Sequence, residues 1–170
     1  MHELPKHYDH AAAQSRCHAL WDAGRYWHAK PQQEGKIFSI VIPPPNVTGA
    51  LHLGHALNNT LQDILVRTRR MQGHVTLWIP GTDHAGIATQ AVVERRLLEE
   101  EGVSRHDLGR AKLVERIWEW KTQYEKRILG QLRDIGASCD WDRTRFTLDH
   151  QCGRAVRETF FRLFQKGLVR

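Results

Sequence analysis

The sequence has no long apolar segment among its 170 residues. No run approaches the roughly 20 apolar residues of a membrane-spanning helix. The amino terminus also has no apolar core behind a basic start, as a secretory signal would have. Internal repeats and low-complexity tracts are absent. These absences predict a soluble, cytoplasmic protein with no membrane partner.

Cysteine is scarce and widely spaced. The three cysteines are Cys17, Cys139 and Cys152, an odd number with no C-x-x-C pair. Such a set indicates neither a disulfide framework nor a zinc site. We therefore expect a reducing compartment, no zinc and no metal ion held by side chains of this chain.

Positive charge is in excess. The formal net charge is +6 and the isoelectric point is about 9.5, which suits a polyanionic partner. Arg67, Arg69 and Arg70 cluster near the end of one predicted helix. A solvated helix face is the commoner explanation of such a cluster, and direct contact with nucleic acid is the alternative.

The most informative segment runs from Pro43 to His55. Before it, residues 37–42 form a short, β-branched apolar run, which predicts a parallel strand buried on both faces. After it, apolar and related residues recur at helical spacing from Ala56 onward: Leu57, Leu61, Ile64, Leu65 and Thr68. The segment therefore lies between a strand's carboxyl end and a helix's amino end, where free N–H groups favour phosphate.

Residue types in this segment suit nucleotide chemistry. Gly54 has no Cβ, so a phosphate or a purine can approach the backbone closely. His52 and His55 can donate hydrogen bonds to an oxygen that gains charge in a transition state, as phosphoryl or nucleotidyl transfer requires. The alternative is a polar loop with solvated histidines.

A second block follows the same pattern. Val75–Ile79 predicts another buried strand, and Pro80 with Gly81 ends it. Asp83 then lies at a strand's carboxyl edge, facing the same pocket as the first block if the two strands are neighbours. From the residues alone, Asp83 is equally suited to be a helix N-cap. His84 is equally compatible with lining the pocket and with orienting Asp83.

The rest of the chain reads as helical scaffold. Residues 86–101 have apolar residues at helical spacing and precede a stop at Gly102. A capping box that starts with Ser104 then predicts a long helix, broken near Gly130 and ending at Gly136.

Two blocks carry a resemblance to a known family. The segment from His52 to His55 resembles the HIGH signature of class I aminoacyl-tRNA synthetases, with Leu53 as a conservative variant. The block from Gly81 to Gln90 resembles the form that is specific to the valine enzymes of that class. Four flanking segments agree: Tyr8 to Trp27, Ile117 to Lys121, Asp140 with Trp141, and Arg145 to Thr147. The resemblance to the valyl-tRNA synthetases covers almost the whole chain.

The resemblance implies an α/β fold that is the amino-terminal half of the Rossmann-like nucleotide-binding domain of class I synthetases. Residues 1–35 would be a short helical lead and linker. Residues 36–170 would be a parallel sheet with helices, the first half of the catalytic domain, ending before the editing insertion.

The implied reaction is the ATP-dependent activation of valine to valyl-adenylate, followed by transfer to tRNA-Val. ATP would be held by Thr48, His52, Gly54 and His55, with His52 and His55 as the catalytic residues that face the phosphates. Valine would be held by Pro43, Pro44, Asn46 and Asp83, with Asp83 on the α-ammonium group. Mg²⁺ would arrive with ATP.

The sequence lacks two further family features, the Lys-Met-Ser-Lys-Ser loop and an anticodon-binding helical domain. We therefore expect a fragment with about half of the active site, inactive by itself, whose intact enzyme contacts tRNA-Val mostly through regions absent here. Two other classes stay open. One is a stand-alone nucleotidyltransferase of the pantetheine-phosphate adenylyltransferase kind. The other is a non-catalytic, truncated paralogue that acts as a binding module.

Overall fold

A computed structural model describes residues 6–30 and 34–170. Its helices are α1 (His10–Gly24), α2 (Leu53–Met71), α3 (Gly86–Glu101), α4 (Arg105–Asp134) and α5 (His150–Gln165), with a 3-10 turn over Trp141–Arg143. Its strands are β1 (Ile37–Ser39), β2 (Val75–Leu77), β3 (Gly81–Thr82) and β4 (Arg145–Phe146).

All strand pairs in the described residues are parallel. β1 pairs with β2, Phe38 lying opposite Thr76, and α2 forms the crossover between them. β3 pairs with β4, Thr82 lying opposite Phe146. An isolated parallel bridge joins Asn46 to Asp83, in the loops that follow β1 and β3. The predicted α/β class is confirmed, and the first two predicted strands are neighbours.

The main core lies between these loops and the helices α2 and α4. Its buried residues are Ile42, Val47, Val66, Trp78, Ile128, Leu132, Ala137 and Cys139. Each fully buried aliphatic side chain there contributes about 1.5–3 kcal/mol relative to exposure. A smaller cluster joins α3 to α4 through Val93, Leu97, Leu113 and Trp120. Helix α4 therefore contributes to both clusters and backs the loops after β1 and β3.

The two predicted strands are shorter than expected, and the first is not buried on both faces. β1 ends at Ser39, and Ile37 is 82% exposed while Val41 is 81% exposed. In the described residues β1 has only β2 as a neighbour, so one face and one edge meet solvent. β2 ends at Leu77, and Gly81 belongs to a separate short strand instead of a turn. A Cβ on Gly81 would lie 2.7 Å from the carbonyl oxygen of Arg145, so β3 and β4 approach closely only with glycine there.

Helix α2 begins earlier than its apolar spacing predicted, and the face that carries this apolar spacing is exposed instead of buried. It starts at Leu53, three residues before Ala56, because His52 serves as its N-cap. The periodic apolar residues Leu57, Leu61, Ile64 and Leu65 are exposed, whereas the buried residues are Asn59, Gln62 and Val66. Gln62 faces inward with a partner there, since the indole Nε1–H of Trp78 donates to its Oε1 at 3.0 Å. Asn59 Nδ2 donates to the His55 carbonyl of the same helix at 2.8 Å.

The break in α4 is also displaced. It lies at Gly109, with φ 74° and ψ 164°, while Gly130 stays helical. Ile128 and Leu132 flank Gly130 and are fully buried, so their packing keeps that part of the helix regular against the intrinsic cost of glycine. The predicted helix over 86–101, its stop at Gly102 and the capping box at Ser104 are confirmed.

Helix α1 contacts the body of the fold through polar side chains. Gln14 Nε2 donates to the Asp134 carbonyl at 3.0 Å, and Arg133 pairs with Asp22 at 3.1 Å. Part of the predicted linker, residues 31–33, lies outside the described residues. Within the described ranges, no helix is both long enough and apolar enough to cross a membrane.

Candidate functional site

An open groove of about 490 Å³ runs along the loop after β1 and the first turns of α2. The structure brings seven of the predicted site residues together along it: Pro43, Pro44, Asn46, Thr48, His52, Gly54 and His55. All come from one continuous stretch of chain. We call the part from Thr48 to His55 the histidine half-site.

The two histidines of this half-site cap the amino end of α2. The backbone N–H of Gly54 donates to His52 Nδ1 at 3.1 Å, and the N–H of His52 donates to His55 Nδ1 at 3.3 Å. The ring centroids are 4.0 Å apart. Because the helix presents its positive dipole end here, the histidine half-site suits an anion.

These contacts fix the tautomers of the two neutral rings. Each Nδ1 accepts a backbone hydrogen bond, so the ring proton of both His52 and His55 lies on Nε2. Burial lowers the pKa of His55 below its ordinary value, and the neighbouring His52 lowers it further. The pair is therefore suited to donate two Nε2–H groups to an oxyanion.

Gly54 leaves the space that the His52 ring occupies. A Cβ at this position would lie 2.9 Å from His52 Cε1 and 3.1 Å from its Nδ1. By contrast, a Cβ on Gly49, in the same groove, would meet nothing within 4 Å. The need for glycine at residue 54 is thus set by the histidine as well as by any ligand.

Asp83 lies beside the groove and is joined to it by backbone hydrogen bonds. The N–H of Val47 donates to the Asp83 carbonyl at 2.9 Å, and the N–H of Asp83 donates to the Pro45 carbonyl at 2.8 Å. The N-cap of α3 is Ala85, without a side-chain cap, so Asp83 is not a helix cap. Its side chain is 32% exposed and available to a ligand.

Thr147 completes a second cluster around this carboxylate. Its hydroxyl donates to Asp83 Oδ1 at 2.9 Å, and it lies 2.9 Å from the backbone nitrogen and 2.6 Å from Nδ1 of His84. We call Asp83, His84 and Thr147 the aspartate half-site. His84 contacts Asp83 directly, Nδ1 to Oδ1 at 3.2 Å, which favours the orienting role over a purely pocket-lining one.

Three side chains of α4 hold the backbone and side chains that bear these groups. Trp120 Nε1–H donates to the Val47 carbonyl at 2.8 Å, and Gln131 Oε1 accepts from the Leu51 N–H at 2.9 Å. Glu125 accepts from the hydroxyl of Thr82, the residue before Asp83, at 3.1 Å. The helix thereby positions both half-sites.

Comparison with known proteins decides the family. Residues 16–170 match the family described as tRNA synthetases class I (I, L, M and V). The chain belongs to this family. Its curated relatives include the valine–tRNA ligase of Rhodopirellula baltica, 63% identical over 169 residues, and that of Geobacter sulfurreducens, 57% identical over 167 residues.

These matches cover 99% and 98% of this chain but only 16% and 19% of the respective relatives. The chain therefore spans less than a fifth of the length of these valine–tRNA ligases. A solved structure, the ternary complex of Agrobacterium radiobacter LeuRS with tRNA and LeuAMS, aligns with a TM-score of 0.77 over 95% of this chain and 19% of that one. At 22% identity it supports the class I synthetase fold of the chain.

Sequence reasoning gave no role at the site to the α4 side chains or to Thr147. Trp120 is 73 residues from Val47 along the chain, and Gln131 is 80 residues from Leu51. Local spacing carries no signal for such contacts. Thr147 belonged to a flanking segment of the synthetase resemblance, but nothing in the sequence placed its hydroxyl against Asp83.

One cluster in the described residues has the composition of a metal site. His28, Asp140 and Asp142 each bring a ligand atom within 4.8 Å of the others. However, Arg143 pairs with Asp140 and Arg25 pairs with Asp142, so both carboxylates already have cationic partners. The N–H of residue 29 also donates to Asp140. The cluster therefore ties the segment after α1 to the body of this synthetase fragment, and its chemistry does not favour a cation.

The arginine cluster at the end of α2 is neither a simple solvated face nor a free basic patch. Arg67 donates to the Gly136 carbonyl at 2.7 Å, and Arg70 donates to the Ser138 carbonyl at 2.8 Å. Both guanidinium groups lie 4.9 Å from the ring centroid of Trp27. Arg69 is exposed. Two of the three arginines thus serve the fold, and contact with tRNA stays a prediction.

Proposed function

We propose that this chain supplies the substrate-activating half-sites of a valine–tRNA ligase. The reaction is attack of the valine carboxylate on the α-phosphate of ATP, which gives valyl-adenylate and pyrophosphate, followed by transfer of valine to tRNA-Val. The observation that carries the proposal is the Asn46–Asp83 bridge. This bridge joins the loop that leads into α2 to the residue that carries the partly exposed Asp83 carboxylate, and it supports two neighbouring binding positions at the carboxyl side of parallel strands, the usual place for ligands in a parallel α/β fold.

ATP is assigned to the histidine half-site. Thr48, His52, Gly54 and His55 line one groove at the amino end of α2, and the two Nε2–H groups are suited to a phosphate. An uncharged donor that meets charge only as it develops stabilises the transition state more than the ground state. In this role His52 and His55 are catalytic without transferring a proton.

Valine is assigned to the loop beside the aspartate half-site. The Asp83 carboxylate suits the α-ammonium group through a charge-assisted hydrogen bond. Pro43, Pro44 and Asn46 line the groove, and the prolines offer apolar surface to a small aliphatic side chain. This division leaves the carboxylate of valine free to meet the α-phosphate.

Mg²⁺ enters as part of the ATP substrate. The described residues that line the groove include no carboxylate, and Mg²⁺ is commonly held by substrate phosphates, waters and one or two carboxylates. No residue of the histidine half-site is therefore assigned to the ion. Mg²⁺ supplies charge neutralisation on the phosphates when ATP is bound.

The valine assignment is favoured over an adenylyltransferase that works without tRNA, because the relatives at 53–63% identity over nearly all of this chain are valine–tRNA ligases. The binding-module alternative keeps the pocket without the chemistry. Measurement of activity separates them.

The test is a chimera in which this chain replaces the matching 169 residues of the Rhodopirellula baltica enzyme. We expect valine-dependent exchange between ATP and pyrophosphate at a rate near that of the unaltered relative, with little exchange for leucine. A folded chimera without valine-dependent exchange would contradict the proposal and support the binding module. The 170-residue chain alone is expected to show no substantial exchange.

A further inference from the structure

The Thr147 hydroxyl has three polar neighbours and only one proton. It lies within hydrogen-bond distance of Asp83 Oδ1, the backbone nitrogen of His84 and Nδ1 of the same histidine. A carboxylate oxygen can only accept a hydrogen bond, so the Thr147 hydroxyl donates its proton to Asp83 Oδ1 in a charge-assisted bond. The oxygen of the hydroxyl is then left to accept from both His84 groups.

This allocation fixes the protonation of His84. Both oxygens near its Nδ1, on Asp83 and Thr147, then act as acceptors. Nδ1 must therefore carry a ring proton, and in the neutral ring Nε2 would be the nitrogen without one. The tautomer is opposite to that of His52 and His55, whose Nδ1 atoms accept.

The same allocation also divides the two oxygens of Asp83. Oδ1 receives the Thr147 hydroxyl and faces His84, while Oδ2 has no side-chain hydrogen bond among the described residues. A carboxylate held at one oxygen presents the other in a fixed direction. A side chain that is already held in its bound orientation loses less conformational entropy when the ligand binds.

Thr147 is itself held by regular backbone pairing. Its N–H donates to the Thr82 carbonyl at 3.2 Å, extending the parallel β3–β4 pair by one residue. The close approach of these strands at Gly81 sets their separation. The hydroxyl is thus placed by strand register, which is a more rigid support than a free loop.

We propose that Thr147 is a positioning residue of this site: it fixes the Asp83 carboxylate so that Oδ2 faces a primary ammonium ligand, and it holds His84 with its ring proton on Nδ1. The identity of that ligand as valine rests on the proposed function. The arrangement of the three side chains does not.

The kinetic test uses the active chimera described above. Thr147→Val keeps the shape and removes the hydroxyl, and it is expected to raise KM for valine about 10-fold or more, as loss of a hydrogen bond to a charged group predicts. KM for ATP should stay within about 2-fold. Thr147→Ser restores the hydroxyl and should restore KM for valine. Thr144→Val, which removes a hydroxyl bonded to the Trp141 carbonyl, is the matched control and should leave both KM values unchanged.

A second readout needs no activity. In the 170-residue chain labelled with ¹⁵N histidine, the two ring nitrogens of His84 report which one carries the proton, and a His84→Asn variant assigns the signals. We expect the proton on Nδ1 in the wild type and in Thr147→Ser.

A wild-type His84 with its proton on Nε2 would overturn the proposal, and so would a folded Thr147→Val chimera with unchanged KM for valine. If instead the wild-type chimera has no valine-dependent exchange, the proposed function fails while the histidine spectrum still decides the positioning role.

Discussion

The histidine half-site and the aspartate half-site are built in different ways. In the first, the ring of His52 and the ring of His55 bond to backbone groups within three residues, so a short stretch of chain caps its own helix. In the second, Asp83 depends on Thr147, a residue 64 positions away. The contacts of a half-site that is built within a few residues can be predicted from sequence patterns. Contacts between residues far apart in the chain become visible only in the folded structure.

A change at Gly54 is expected to break the histidine half-site most severely. Gly54→Ala forces the His52 ring aside, because the new Cβ would lie 2.9 Å from Cε1. Displacement of a substrate-facing group by about 1 Å can cost roughly 100-fold in rate, so the chimera should lose about that much valine-dependent exchange. Gly49→Ala, with free space around its Cβ, should keep nearly full activity. Equal losses in the two variants would show that residue 54 is not special.

Substitution of Gln131 tests whether the histidine half-site keeps its shape through its local contacts alone. Gln131→Ala leaves the Leu51 N–H without its side-chain acceptor, which is expected to cost about 1–2 kcal/mol of unfolding free energy. Gln131→Glu keeps an acceptor at the same place and should retain most of that stability. Denaturant unfolding of the three chains measures the effect. Identical stabilities would mean that the loop holds its shape without α4.

Backbone strain occurs next to the aspartate half-site, one residue after His84. Ala85 has φ 49°, in the left-handed region that glycine adopts without penalty. Ala85→Gly should therefore raise the unfolding free energy by about 1 kcal/mol. Ala91→Gly, inside α3, is the control and should lower it by about 0.5–1 kcal/mol. If Ala85→Gly and Ala91→Gly shift the unfolding free energy in the same direction, the backbone at Ala85 is not strained.

The smallest expected effect is a pH dependence of the histidine half-site. The folded pKa of His55 lies below its ordinary value of 6.5, chiefly because of burial, so the unfolded chain binds this proton more tightly. The stabilising contribution is complete above about pH 6.5 and is lost as pH falls through the folded pKa. Unfolding free energies at pH 7.5 and 5.5 should therefore differ less in His55→Gln than in the wild type. If the difference in unfolding free energy between the two pH values is the same in His55→Gln as in the wild type, His55 is not the source of the pH dependence.

Local patterns predicted a good part of this molecule. The α/β class, the starts of the first two strands, the Gly102 stop and the Ser104 capping box follow from spacing and capping chemistry. The seven groove residues lie on one segment, so any fold that keeps the strand-to-helix turn brings them together.

Tertiary contacts decided the rest. The apolar spacing from Leu57 to Leu65 identifies a helix but not its buried face, because Gln62 turns inward to the Trp78 indole. Gly130 looked like a helix break, yet the burial of Ile128 and Leu132 holds it straight. The role of Thr147 depends on strand register, which no local pattern of the sequence specifies.

The most direct test is a four-enzyme comparison in the chimera: wild type, His55→Ala, Asp83→Ala and the double variant, each measured by valine-dependent exchange. Separate half-sites predict that His55→Ala lowers kcat about 10²- to 10³-fold with little change in KM for valine. Asp83→Ala should raise that KM about 10- to 100-fold, and the double variant should show both changes together. If His55→Ala instead acts on KM for valine and Asp83→Ala on kcat, the assignment of ATP to the histidines and of valine to the aspartate is wrong.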